Sequence, residues 1–146
     1  MSFWLDMDST MIHSHCGDTS SDAIPHTIPF IISKDNKLGT AFDVDGQWRH
    51  DVNHTHWVII DLLMPRYITN IRGVMNGTTN IQDVKFYITS DLTAWGDAVL
   101  EVTNWQSYTK DDDDPWEYQM NIPKVGRYVK VEVVTTTDAN NYLRWG

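Results

Sequence analysis

An all-β fold, a sandwich or a barrel, is what this sequence predicts. From residue 56 onward, apolar and polar residues alternate with a period of two. Strand-like segments recur roughly every 10 to 15 residues, separated by Gly, Asn, Asp and Pro. No segment carries helical periodicity, and no internal repeat has a fixed period.

The elements follow in order. The first 55 residues are rich in turns, around Pro25, Pro29 and the Gly39–Gly46 stretch. They are expected to hold one or two strands, near Met11-Ile12 and Phe30-Ile31-Ile32, joined by long loops. Long ordered loops in a small β-domain are usually functional. His56 to Leu62 reads as a strand stopped by Pro65, with Trp57 as a core residue. Tyr67 to Val74 follows, with Ile68 and Ile71 facing inward, and Asn76 to Asn80 is a turn. In Asp83 to Thr89, Val84, Phe86 and Ile88 share one face, and Lys85, Tyr87 and Thr89 the other. After a turn at Ser90–Thr93 comes a short strand, Ala98 to Val102. The acidic stretch Thr109–Pro115 reads as a solvated hairpin turn. Adjacent carboxylates repel, and calcium loops usually space their ligands. Trp116 to Ile122 and Tyr128 to Thr135 alternate again, the second with Val129, Val131 and Val133 inward, and Leu143 to Trp145 closes the sheet.

Composition narrows the function. The 146 residues are expected to form a single domain, long enough for a core without disulfides or a structural metal. A net charge of −9 and the lack of a basic stripe disfavour nucleic acid. No apolar run approaches the roughly 20 residues needed to span a bilayer, and the loops are too polar for membrane insertion. The lone Cys16 rules out an intrachain disulfide. The N-terminus lacks the features of a signal peptide. The chain is expected to act outside the cell, or on a cell or virion surface, as part of a larger protein, with the cytoplasm as the alternative. Seven tryptophans exceed what a small core needs and hint at an aromatic binding surface.

Several landmarks occur in a telling order: Ala41-Phe42-Asp43-Val44-Asp45, then Trp57-Val58-Ile59-Ile60-Asp61-Leu62, then Ile68 and Ile71. Asn80-Ile81, Val84, Tyr87, Ser90 and Trp95 come next, then Gly126-Arg127-Tyr128-Val129-Lys130-Val131-Glu132-Val133 and a terminal Leu143-Arg144-Trp145-Gly146. Over roughly residues 8 to 146 this set resembles the discoidin family, also called the coagulation factor type C domain, and especially the family 32 carbohydrate-binding modules. The resemblance implies an eight-stranded antiparallel jelly-roll β-sandwich whose ligand site lies on loops at one end. It implies a structural calcium ion held by Asp43, with Asp45 and Asn141 as further oxygen donors. On the residues alone, a turn cap is an equal reading of Asp43 and Asp45. It also implies a non-catalytic, lectin-like role in adhesion. A glycan is the expected ligand, and a protein partner or parent assembly the alternative.

Sugar recognition needs an aromatic platform and planar polar side chains. The loop Gln47–Thr55 supplies Trp48, Arg49, His50 and His54. Asn80 matches the asparagine that the family places before its Ile-x-x-Tyr strand. The family's arginine would fall on Gly73, next to Arg72, and Asn76 lies in the same turn. Asn140 and Tyr142 complete the wall, unless Tyr142 faces inward.

Other chemistries are weaker. His13-x-His15-Cys16 and His50…His54-x-His56 look like zinc-ligand sets. There is no His-Glu-x-x-His helix and no identifiable general base, and single exposed histidines are commoner than histidine metal sites, so zinc binding is disfavoured. There is no Gly-x-Ser-x-Gly elbow, and neighbours on a strand such as His15 and Cys16 point apart. No catalytic residue is assigned.

Overall fold

Alternation decides which side chains enter the core, and the computed structural model follows it closely. It describes residues 11–16, 48–50, 53–73, 80–105 and 116–145, with side chains left out at 48–50, 72–73, 116 and 144–145. The strands are β1 (Ile12–His15), β2 (Trp48–His50), β3 (His56–Gly73), β4 (Ile81–Thr89), β5 (Leu100–Val102), β6 (Trp116–Thr136) and β7 (Leu143–Trp145). All described pairings are antiparallel, and no α-helix occurs among the described residues. Five strands form one sheet in the order β1-β3-β6-β4-β5, while β2 and β7 form a second.

Val84, Phe86 and Ile88 on β4 and Val129, Val131 and Val133 on β6 are buried, as the period-two pattern requires. Val58, Ile60 and Leu62 of β3 join them, and Leu143 ties β7 to the same core. Ile68 and Ile71 pack on its margin. Burying each such side chain is worth about 1.5–3 kcal/mol.

Four expectations need correction. Trp57 is half-buried rather than core, because the inward phase of β3 belongs to its neighbours His56 and Val58. Thr89 is buried rather than outward, with its hydroxyl donating to the carbonyls of Asp91 and Ala94. Residues 48–50, read as loop, form β2. Pro65 does not end a strand, and the four separate strands expected around it are two continuous ones of 18 and 21 residues.

The continuity depends on two offsetting bulges. From Asp61 to Arg66, β3 advances five residues while β6, from Tyr128 to Gly126, advances two. From Ile68 to Asn70, β3 advances two while β6, from Lys124 to Gln119, advances five. Bulges bend and twist a strand, and Pro is tolerated there because the ladder is already interrupted. Leu63 sits in the first bulge at φ 70°, its N–H donating to Asp61 Oδ1 at 2.8 Å. Exposed Leu63, Met64, Tyr67, Ile122 and Val125 cluster along these bulges, an apolar surface that alternation does not predict.

Arg127 braces the bend, its guanidinium meeting the two Asp61 oxygens at 2.8 and 2.9 Å. Those hydrogen bonds hold the Asp61 carboxyl below its ordinary value despite some desolvation, and the Leu63 N–H adds to them. A depressed folded-state value means the contribution is present above the unfolded carboxylate pKa and lost as pH falls through the folded one. Urea melts of wild type and Asp61→Asn at neutral pH and near pH 3 are therefore expected to converge on the acid side.

Aromatic side chains also brace the sheet. Lys130 Nζ lies 4.4 Å from the Tyr87 ring centre and 4.9 Å from that of Trp95. Trp105 is buried against Tyr118, their ring centres 5.0 Å apart. Two of the tryptophans that hinted at a binding surface therefore do structural work.

Candidate ligand-binding site

The start of β3, the approach to β4 and the turn between β6 and β7 meet at one pole. Antiparallel pairing requires it: His56 is opposite Val133, and Ile81 is opposite Thr136. Two hydrogen bonds fasten the approach to β4 to the turn. The Asn80 side-chain amide donates to the Tyr142 carbonyl at 2.8 Å, and Thr137 N–H donates to the Asn80 carbonyl at 2.8 Å. The second sheet reaches the same pole, because His50 is opposite Leu143 and Trp48 opposite Trp145.

Asn141 organises this junction. Its φ of 56° lies in the left-handed region, which Asn tolerates better than most residues. Its side-chain oxygen accepts the Thr136 N–H at 2.7 Å. Its amide nitrogen donates to the carbonyls of His54 at 3.0 Å and Val134 at 3.3 Å. Its own carbonyl accepts from His56 Nε2 at 2.7 Å. Asp138 folds the turn, its carboxylate accepting the Asn140 N–H at 2.8 Å.

Of the expected ligand-binding residues, His54, Asn80, Asn140 and Tyr142 belong to this pole. The chain segment carrying Trp48, Arg49 and His50 reaches it through β2, with only their backbone described. Arg72 lies near the far end of β3, opposite Glu117 of β6, also described by backbone alone. Asn76, Asp43 and Asp45 lie outside the described residues. Of the three expected calcium donors only Asn141 is described, and one lone pair of its oxygen is engaged by Thr136. A calcium shell is therefore not assembled from the described residues.

One grouping escapes the sequence. Cys16 reads with His13 and His15, and His56 with His50 and His54, as two separate clusters. The register of β1 against β3 merges them across the chain: His15 is opposite Val58, and Cys16 N–H donates to the Trp57 carbonyl at 3.0 Å. No spacing rule signals a pairing made between strands.

Antiparallel sheets with polar segments from distant parts of the chain gathered at one pole define an all-β module. The chain belongs to the F5/8 type C domain family, whose model matches residues 20–146. The backbone is similar to the family 32 carbohydrate-binding module of NanJ from C. perfringens in complex with galactose, at 11% identity and TM-score 0.62, covering 95% of this chain and 92% of that one. It is also similar to the family 32 module of EndoD from Streptococcus pneumoniae, at 16% identity and TM-score 0.60, covering 92% and 89%. A third likeness is to the CBM32 of AlyQ in complex with 4,5-unsaturated mannuronic acid, at 12% identity and TM-score 0.60, covering 92% and 86%. These likenesses establish the jelly-roll fold. Comparison with curated proteins found no sequence relative.

Proposed function

We propose that this domain is a non-catalytic glycan-binding module that reads sugars at the pole built around Asn80, Asn141 and Tyr142. The observation that carries the reading is the fastening of the Asn80 segment to the Tyr142 segment, beside the strand bearing Trp48 and His50. A shallow sugar site needs such a preorganised frame, because each bond to a hydroxyl replaces one to water and nets only about 1 kcal/mol. On this reading His50 and Asn140 offer hydrogen bonds, Trp48 offers a stacking face, and Arg49 and Asn76 extend the rim. The module would anchor an attached protein or particle to glycans at a cell or virion surface. Galactose and an unsaturated mannuronic acid, the sugars bound by two of the similar modules, are the first ligands to test. Calcium at Asp43 and Asp45 would stiffen the neighbouring segment, and a rise in Tm when calcium is restored to chelator-treated protein tests that part.

A protein-docking role is the second reading, favoured by the apolar surface on the bulges. A glycan array followed by tryptophan-fluorescence titration separates the two. Alanine at Trp48 or His50 is expected to weaken sugar binding at least tenfold with Tm unchanged. Full binding by both variants would remove the site assignment, and silence across the array would favour docking.

A further inference from the structure

We propose that Cys16, His54 and His56 form a zinc-class metal site that clips the end of β1 to the start of β3. One donor atom from each residue lies within 4.8 Å of the other two. A thiolate and two imidazoles are donors that zinc favours over calcium or magnesium. In a tetrahedral zinc site with bonds of about 2.0–2.3 Å, donor atoms stand roughly 3.3–3.7 Å apart, so loading needs a contraction of at most about 1.5 Å.

The surroundings already orient these donors. His56 Nε2 donates to the Asn141 carbonyl at 2.7 Å, which makes Nδ1 the lone-pair nitrogen of that ring. His54 Nδ1 donates to the Thr55 carbonyl, which makes Nε2 the lone-pair nitrogen there. Ligating histidines characteristically give their second nitrogen to such an acceptor, which fixes the tautomer and the ring plane. The ring centres stand 5.0 Å apart. The Trp57 N–H points at Cys16 Sγ at 3.1 Å, a contact that favours the thiolate. Asn141 holds the backbone of His54 through its amide and the ring of His56 through its carbonyl, so one residue ties both histidines to the junction. Three protein donors leave a fourth position for water.

The test uses the whole chain, stripped with chelator and reduced, and titrated with zinc and then with cobalt(II). One equivalent should bind, Tm should rise, and cobalt should show a thiolate-to-metal charge-transfer band. Cys16→Ser should abolish that band, and both Cys16→Ser and His54→Ala should weaken zinc binding at least about 100-fold. His13→Ala, outside the cluster, should bind as wild type. His56 is completely buried, so its replacement can unfold the domain and is not used. Failure of the wild type to bind one equivalent, binding without the thiolate band, or Cys16→Ser affinity within threefold of wild type would each overturn the proposal.

Discussion

Asn141→Ala is expected to lower folding stability by about 3–4 kcal/mol, measured as the fall in unfolding free energy in urea. Three side-chain hydrogen bonds disappear together: the one accepted from Thr136 and those given to His54 and Val134. Each is worth about 1 kcal/mol, and the orphaned partners are partly shielded from water. Alanine must also hold a φ of 56°, which costs roughly a further 1 kcal/mol. Asn141→Gly loses the same bonds without the conformational strain, so it should be the milder variant by about that amount. If the two variants prove equal, strain at this residue is negligible. If both are silent, Asn141 does not hold the pole together. A loss of 3 kcal/mol is a large share of the 5–15 kcal/mol typical of a domain, so alanine should also loosen the frame under the proposed sugar site.

Gly126→Ala is the second large effect, at about 2–3 kcal/mol. The added methyl carbon would stand 2.4 Å from Cγ2 of Ile88 and 2.9 Å from the Thr89 carbonyl oxygen. Ile88 is completely buried, and the carbonyl belongs to the backbone, so neither can yield cheaply. The glycine is there for close approach between β6 and β4. A double-mutant cycle with Ile88→Ala separates the two clashes. Ile88→Ala alone should cost about 2–5 kcal/mol through the cavity it leaves. In that background the penalty of Gly126→Ala should shrink by at least about 0.5 kcal/mol, with the Thr89 contact remaining. Strict additivity would show that the side-chain clash is not the cause.

The parts of this molecule that were legible in advance are those where one strand carries its own pattern. Val84, Phe86 and Ile88, or Val129, Val131 and Val133, declare their face without reference to any partner. Trp57 departs from the expected core position because its neighbours fix the inward phase of β3, and histidine rather than tryptophan occupies one of those positions. That His54, Asn80, Asn140 and Tyr142 lie at one pole could be anticipated. The bonds among them could not, since Asn141 acts through carbonyls at positions 54 and 134, which have no side-chain signature. The union of Cys16 with His54 and His56 likewise depends on strand register, which the linear spacing of the residues does not encode.

The paired bulges make the β3–β6 ribbon behave like a vernier. Three surplus residues on one strand are taken back by three on the other, so the count is restored by the time Asn70 faces Gln119. The pole built around Asn141 is thus insulated from the composition and length of the corner. Loops of other lengths could be spliced there in matched pairs, while an unmatched change on one strand alone would offset every pairing beyond it.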